Sequence, residues 1–209
     1  YQLNIIDVLS ELQALPGLER IRLSSIEVNE VTDDLIDLIA DSDRVCPHFH
    51  LPLQSGDDYI LKRMNRKYDA AQYLETVERI RGRLELPSIS TDILVGFPGE
   101  KRIHFENTMK LCEQAGFSRA HIFSYSPRED TPAAKMPDHC KPSDIKERKK
   151  ELEFLTAETS LEYKNLFVGR DIGILVEKER DKKTGKLCGY SDRYIKALFD
   201  GPDDLMNEI

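Results

Sequence analysis

The sequence predicts an α/β fold in which parallel strands alternate with helices, followed by a small antiparallel β-barrel. Up to about residue 125, four short apolar segments are separated by helical patterns, and connections of that length favour parallel pairing with right-handed crossovers. Beyond Gly169 the pattern changes to short alternating segments around a turn at 181–186, which is typical of antiparallel hairpins. Hydrophobic residues make up 40% of the chain and charged residues 33%, as is ordinary for a globular protein.

The first two predicted strands flank a helix near the start of the chain. A helical face of apolar residues (Ile5, Leu9 and Leu12) predicts a helix over 4–15. A strand over 21–26, a helix capped by Thr32 and a strand over 48–53 follow. Because four strands do not close a barrel, we expect strand 21–26 to have a free edge through which the isolated chain self-associates.

The alternation continues to the end of the parallel part. The further predicted elements are a helix over 57–65, a helix that begins after Asp69, a strand over 88–95, a helix over 102–115 that ends at Gly116, and a strand over 119–125. A proline-rich loop over 127–142 leads to one long charged helix. We therefore divide the chain into a parallel unit (1–142), a linking helix (143–167) and an antiparallel unit (168–209).

The most informative segment is the apolar strand 88–95 and the glycine turn that follows it, Gly96 to Glu100. Glycines let the backbone approach a bound group closely. Ligands of parallel α/β folds bind at the carboxyl ends of the strands. The residues predicted at those ends are small or polar: Ser24, Ser25, Gln54, Ser55, Asp92, Gly96, Ser124 and Tyr125. The sequence therefore predicts a ligand site there.

The cysteines and histidines indicate neither disulfides nor a metal site. Cys46, Cys112, Cys140 and Cys188 are far apart in the sequence, and Cys112 lies on the apolar face of its predicted helix, where we expect it in the core. His48, His50 and His121 lack the spacing of metal ligands, so we expect structural or supporting roles for them.

The charge distribution and the start of the sequence indicate which partners, location and length to expect for the protein. The net charge is −8, yet Lys62 to Lys67 carries four positive charges, as a solvated helix end or a phosphate contact would. No segment has the ~18 apolar residues of a membrane span, and no signal peptide opens the chain, so a cytoplasmic location is expected. Since the first residue is tyrosine and a helix is already under way, we expect a piece of a longer protein.

Several motifs together resemble one family, the radical S-adenosylmethionine (radical SAM) methylthiotransferases. The resemblance rests on residues 51–56 (LPLQSG), 61–66 (LKRMNR), 90–100 (STDILVGFPGE) and 125–134 (YSPREDTPAA). The segment after Gly169 is similar to the family's TRAM module, a small RNA-binding barrel. The fold implied is the C-terminal portion of a partial (βα)6 radical SAM barrel followed by part of a TRAM-like barrel.

Residues 20–27 (RIRLSSIE) and 46–53 (CPHFHLPL) look like the MtaB-type branch. That branch adds a methylthio group to N6-threonylcarbamoyladenosine next to the anticodon of tRNA. The alternatives kept open are a methylthiotransferase for isopentenyladenosine tRNA or for a ribosomal protein, and an RNA-binding protein without catalysis. A metabolic βα-barrel enzyme without RNA would leave the hairpins of 168–209 unexplained.

The resemblance implies S-adenosylmethionine, two [4Fe–4S] clusters in the full-length protein, tRNA as substrate, and flavodoxin or ferredoxin as electron donor. This chain lacks the family's Cys-x3-Cys-x2-Cys motif, so no metal ligand is assigned to it and we expect it to be inactive alone. The sulfur donor is not implied by any residue.

Candidate contacts to S-adenosylmethionine follow from strand-end position and resemblance: Ser24, Ser25, Gln54, Ser55, Asp92, Gly96, Glu100, Phe123 and Tyr125. The alternatives are a hydrogen-bonding anchor for Asp92 and plain packing for the two serines of 24–25. Candidate contacts to RNA on the first unit are Arg63, Arg66 and Arg128, for which we prefer a phosphate contact to an ion pair. On the antiparallel unit they are Lys182, Lys183, Lys186 and Tyr194, because basic side chains beside aromatic rings suit RNA. A solvated turn is the alternative for the three lysines.

Overall fold

The computed structural model of the protein describes residues 4–209. Tyr1, on which the expectation of a longer protein rests, lies outside the described residues. The helices are α1 (Ile5–Gln13), α2 (Asp33–Ala40), α3 (Asp58–Arg63), α4 (Ala70–Arg83), α5 (Arg102–Ala115) and α6 (Pro142–Asn165), with 3-10 turns at Val28–Glu30, Pro132–Lys135 and Asp203–Leu205. The strands are β1 (His48–His50), β2 (Ser88–Val95), β3 (Arg119–Ser124), β4 (Ile174–Val176), β5 (Leu187–Ser191) and β6 (Lys196–Phe199).

A parallel sheet in the order β1-β2-β3 forms the centre of the first unit and confirms the predicted α/β class. His50 pairs with Ser90, and Asp92 pairs with His121, so the carboxyl ends of the three strands meet at one edge. Strand 88–95 has the predicted bounds, because its apolar residues are covered by α4 and α5 on one face. A buried parallel strand of this kind needs such a cover.

Residues 21–26 do not form the predicted regular strand. They make two single parallel bridges, from Ile21 to Val45 and from Ser25 to His50, and the register shifts by one residue between them. Pro47 lies opposite this interval and has no N–H to donate, which interrupts the ladder. The expected self-association through this edge stays a prediction.

The strand predicted over 48–53 is shorter than expected. β1 ends at His50, and pairing resumes only at Gln54, which bridges Ile93 with its backbone in the left-handed region (φ 63°). Pro52 has no N–H to donate within this interval. The Leu53 N–H instead donates to the Thr91 hydroxyl at 3.0 Å. The polypeptide therefore bulges before the predicted ligand segment.

The predicted helix caps are present. Thr32 accepts from the Leu35 N–H at 3.2 Å, Asp69 caps α4, and Gly116 ends α5 in the left-handed region (φ 51°), which favours glycine. Cys112 on α5 is fully buried, as predicted. In α1 the interpretation was partly wrong, because Leu9 is buried whereas Ile5 is exposed.

The antiparallel unit consists of the sheet β4-β5-β6, joined by a turn at residues 181–186. Tyr194 lies in the β5–β6 turn with φ 61°. This turn faces the first unit: Arg22 donates to the carbonyls of Ser191 and Asp192 at 2.9 and 2.8 Å. None of the helices among residues 4–209 has the length and apolar character needed to span a membrane.

Candidate functional site

One face of the parallel sheet is polar, and the site is built on it. Side chains on a strand alternate between the two faces, so every second residue of β1, β2 and β3 points the same way. The polar residues at the paired positions of this face, which we call the polar face, are His48, His50, Ser88, Ser90, Asp92, Arg119 and His121. The opposite face carries apolar residues such as Phe49, Ile89 and Ile93, and these are buried.

Hydrogen bonds connect the polar face across the strands. The Ser90 hydroxyl lies 3.1 Å from His48 Nε2 and 3.0 Å from His50 Nδ1. On its other side the His50 ring places Nε2 3.3 Å from a carboxylate oxygen of Asp92. The His121 ring stands 6.3 Å from that of His50. A carboxylate, two imidazoles and a hydroxyl are thus within reach of one small ligand.

The polar face is buried at its amino end and open at its carboxyl end. His48, near the amino end, is only 5% exposed, whereas Phe123, near the carboxyl end, is 52% exposed. Burial and the nearby positive charges of Arg22 and Arg119 lower the pKa of His48 to about 3. Burial and Arg119 also lower the pKa of His121. Both effects favour neutral imidazoles, which accept hydrogen bonds.

Four predicted contacts for the cofactor lie at or near the open end. Asp92 is partly exposed and is hydrogen-bonded only through His50 among the described side chains. Gln54 exchanges backbone hydrogen bonds with the flanking residues of β2, and its amide side chain has no described partner. Ser25 lies beside His50 through their bridge, and Phe123 follows His121 on the same face. Ser24 is exposed, with no described hydrogen bond to its hydroxyl.

The glycine turn after β2 is held by a buried ion pair. The Glu100 carboxylate lies 2.7 Å from Arg148 of α6 and accepts from the Gly96 N–H at 3.2 Å. Burial raises the pKa of Glu100, although Arg148 opposes that change. Gly96 has φ 84°, and an added Cβ would overlap the Ile145 side chain. Glu100 and Gly96 therefore fix the turn against α6, and neither presents a side chain to the polar face.

Ser55 and Tyr125 also point away from the polar face. The Ser55 hydroxyl is buried 3.3 Å from that of Thr108 on α5 and accepts from the Asp57 N–H. The Tyr125 ring packs edge-on against Phe97, and its hydroxyl is buried without a partner among the described residues. Ser55 therefore supports α5, and Tyr125 supports the glycine turn.

Of the three arginines predicted to contact RNA on the first unit, two are already bonded to other residues of the chain. Arg66 forms an ion pair with Glu27 at 2.7 Å, contrary to our preference for a phosphate contact. Arg63 donates to the Pro98 carbonyl at 3.1 Å and so supports the glycine turn. Arg128 is exposed on the loop after β3, and its guanidinium has no partner among residues 4–209. Of these three, only Arg128 is fully available to a ligand.

On the antiparallel unit, too, some of the predicted RNA contacts are without an ion pair and others are bonded to the chain. Lys182 and Lys183 are exposed at the turn without an ion pair among the described residues, whereas Lys186 pairs with Asp200 at 2.9 Å. The Tyr194 ring stacks on Tyr190 at 4.8 Å and lies 5.5 Å from the His48 ring. Tyr194 thus lies at the contact between the two units, and 41% of it stays exposed.

His50, Ser90, His121 and Arg119 were not predicted as site residues. The signal was present in the alternation of residues 48–50 (HFH) and 88–92 (SISTD), where polar residues occupy every second position. A strand with one polar and one apolar face predicts a polar wall on the side away from the helices. No pattern in the sequence indicated that Tyr194 would pack against the polar face.

The comparison with protein families decides the identity of the first unit. The model of the radical SAM superfamily matches residues 1–112. The chain belongs to the radical SAM superfamily. A solved structure, the radical SAM enzyme coproporphyrinogen III oxidase from Escherichia coli, has a TM-score of 0.56 over 67% of this chain and 32% of its own, with 16% identity, and confirms the fold alone.

The similar curated proteins have two kinds of name. The threonylcarbamoyladenosine tRNA methylthiotransferase MtaB of Thermotoga maritima is 39% identical over 95% of this chain and 45% of its own length. The tRNA-2-methylthio-N(6)-dimethylallyladenosine synthase of Alkaliphilus oremlandii is 36% identical over 100% of this chain and 44% of its own. The MtaB of Bacillus subtilis is 34% identical over 99% of this chain and 46% of its own. The chain thus spans just under half the length of these relatives.

The radical SAM superfamily implies S-adenosylmethionine and an iron–sulfur cluster, and the described residues fit only the first. The partly exposed Asp92 and His50 offer hydrogen bonds to amino and hydroxyl groups, and the exposed Phe123 ring nearby offers a flat apolar surface. These features suit a nucleoside linked to an amino acid. No group of three potential ligands able to hold a metal occurs within residues 4–209, so a cluster would need ligands from elsewhere.

Proposed function

We propose that this chain is the C-terminal part of a tRNA methylthiotransferase that modifies N6-threonylcarbamoyladenosine at C2 of the adenine, next to the anticodon. The observation that carries the proposal is the similarity to such enzymes over nearly the whole chain, from the polar face to the antiparallel unit. Its parts would be the C-terminal portion of the barrel (1–142), a linking helix (143–167) and an RNA-binding module (168–209). Like its tRNA substrate, the protein would act in the cytoplasm.

In this proposal the polar face is one wall of the pocket for S-adenosylmethionine. Bound there, this cofactor supplies the radical chemistry that activates the substrate. Asp92 would accept hydrogen bonds from the cofactor, and His50 would hold the Asp92 carboxylate in place from 3.3 Å. Gln54 and Ser25 would add hydrogen bonds at the same end, and Phe123 would exclude water from one side.

The cluster ligands and the second cluster belong, in this proposal, to the rest of the longer protein, and the electron donor is a separate partner, flavodoxin or ferredoxin. Cys112 is buried in the core, and the Cys140 thiol donates to the Glu100 carbonyl at 3.2 Å, so neither is free to bind iron. We therefore expect the chain of 209 residues to lack activity alone.

A second candidate substrate has specific support. Several of the similar proteins are named for dimethylallyladenosine, including one that matches the whole chain at 36% identity. The polar face gives no reason to prefer either adenosine derivative, since both would meet the same cofactor wall. The ribosomal-protein alternative and the non-catalytic RNA-binding alternative have no such relative among those compared above.

Nucleoside mass spectrometry of tRNA tests the proposal and separates the candidates. The full-length gene is deleted from its host, and the methylthio derivatives of both adenosines are quantified together with their unmodified precursors. Loss of the threonylcarbamoyl derivative alone would support the first candidate, and loss of the dimethylallyl derivative alone the second. If both derivatives persist at wild-type level, the protein is not the enzyme that makes either.

Complementation of the deletion strain tests the polar face. We expect a full-length gene with Asp92→Asn to restore the methylthio nucleoside at no more than about a tenth of the wild-type level, because a carboxylate acceptor is lost. Asp204→Asn, an exposed aspartate on the antiparallel unit, is the matched control and should restore it fully. Full restoration by Asp92→Asn would remove that residue from the site.

A further inference from the structure

A cavity at the contact between the two units is strongly cationic. It has a volume of about 230 Å3 and lies between β3, α6 and the turn that joins β5 to β6. Its lining has four cationic side chains and four serines, and no aspartate or glutamate among the described residues. The lining includes Arg119, Lys164, Arg193, Lys196, Ser160 and His48. We call this space the junction cavity.

The positive charge of the junction cavity is only partly compensated. Arg193 pairs with Asp192 at 2.6 Å, and Lys196 pairs with Asp181 at 3.0 Å. Arg119 and Lys164 form no ion pair or side-chain hydrogen bond with any residue of 4–209. Two cations that line the same small cavity without a counter-ion repel each other, and an anion bound between them would relieve that repulsion.

Further hydrogen-bonding groups line the same space without partners. The Ser160 hydroxyl on α6 has no hydrogen bond within the described part of the chain. His48 is buried, and its Nδ1 atom has no partner, whereas Nε2 is bonded to Ser90. The low pKa of His48 agrees with a positive field here, since Arg22 and Arg119 both oppose its protonation. The cavity therefore offers charge and hydrogen bonds together.

We propose that the junction cavity binds a phosphate group through Arg119 and Lys164. Its volume is below the roughly 300 Å3 at which pockets for whole small molecules begin, so it suits a phosphate better than an entire nucleotide. Guanidinium and ammonium groups are the usual partners of phosphate oxygens, and Ser160 adds a hydroxyl donor. The phosphate has two possible sources: the backbone of an RNA, which rests on the proposed function, or a free phosphate.

The test compares charge-neutralised variants of the full-length protein. Arg119→Gln and Lys164→Gln are made singly and together, with Lys150→Gln as the control, because Lys150 is an exposed lysine of α6 without an ion pair among residues 4–209. Binding of inorganic phosphate is measured by calorimetry. Binding of an anticodon stem-loop RNA is measured by fluorescence anisotropy at several salt concentrations. Neither readout depends on methylthio transfer, so failure of the proposed activity would be seen separately.

The two binding measurements distinguish the sources. For an RNA phosphate, the double variant should bind the RNA at least about tenfold more weakly. The slope of log affinity against log salt concentration should also become shallower, by the amount expected for the loss of about one phosphate contact. For a free phosphate, the double variant should lose at least about tenfold in phosphate affinity while RNA binding is unchanged. The proposal is overturned if the double variant binds both ligands like wild type, or if Lys150→Gln has the same effect.

Discussion

Replacing His48 by glutamine should remove much of the acid sensitivity of this protein. The His48 ring is 5% exposed, and its Nε2 atom is 3.1 Å from the Ser90 hydroxyl. Burial, together with the charges of Arg22 and Arg119, lowers its pKa to about 3. An imidazole held neutral in the folded state but free to protonate in the unfolded state makes folding depend on pH.

The direction and size of this pH dependence of stability follow from the pKa of His48 in the folded chain and in the unfolded chain. In the unfolded chain the pKa of histidine is about 6.5, so between that pH and 3 the unfolded state binds the extra proton. The free energy of unfolding is therefore highest above pH 6.5 and falls as the pH is lowered through this window. Between pH 7.5 and pH 5 the loss from His48 alone is about 2 kcal/mol.

The measurement is urea unfolding at pH 7.5, 6 and 5 of wild type, His48→Gln and His139→Gln. The glutamine at 48 keeps a hydrogen-bonding group near Ser90 but does not titrate. His139 is an exposed loop residue and serves as the control. NMR titration of the histidine rings adds a direct reading, in which the His48 signals should not move down to pH 5. If His48→Gln retains the wild-type loss between pH 7.5 and 5, the burial argument is refuted.

Three further predictions concern the turn after β2 and the helix-covered face of the sheet. Arg148→Met should lower the free energy of unfolding by about 3–5 kcal/mol, because it leaves the Glu100 carboxylate buried without its cation. Adding Glu100→Gln to this variant should recover most of the loss, because the buried charge is then removed. Chemical denaturation of the single and double variants checks this, and equal stability of the two would contradict it. Gly96→Ala should lower the free energy of unfolding by about 1–3 kcal/mol, because φ is 84° and the new Cβ would overlap Ile145. Thermal unfolding measures this, and a midpoint within error of wild type would count against the prediction. Tyr73→Phe should cost about 1 kcal/mol through the lost buried hydroxyl, measured by urea unfolding, and no change would show that the bond contributes nothing.

Local patterns in the sequence were sufficient for β2 and for the turn and helix that follow it, but not for residues 21–26 and 48–53. Strand 88–95 was predicted because apolar residues are followed by glycines, and the helix after it was bounded by Gly116. In these segments the signal lies in neighbouring residues: a cap, a glycine with positive φ, or alternation along one strand. The glycine turn could therefore be placed correctly at the end of β2.

Contacts between distant segments could not be predicted in this way. Glu100 was expected to face a ligand, but it pairs with Arg148, 48 residues later in the chain. Tyr194 packs near His48 and under the guanidinium of Arg22, 4.6 Å away, which no local pattern indicated, and its contact with RNA stays a prediction. Residue type alone identifies such groups as able to bind something, and only the packing of α6 and of the antiparallel unit decides what they bind.

The contact between the two units also explains why the polar face would hold the cofactor at its carboxyl end, away from the junction cavity. At the amino end, Tyr194 lies beside His48, and Arg22 joins the turn of the antiparallel unit to the sheet. At the carboxyl end, Asp92 is partly exposed and Phe123 largely so. A ligand as large as the cofactor needs polar groups that are accessible from solvent, and the carboxyl end offers them. The antiparallel unit therefore contributes to the proposed cofactor site by closing the opposite end of the sheet, even though none of its residues need touch the cofactor.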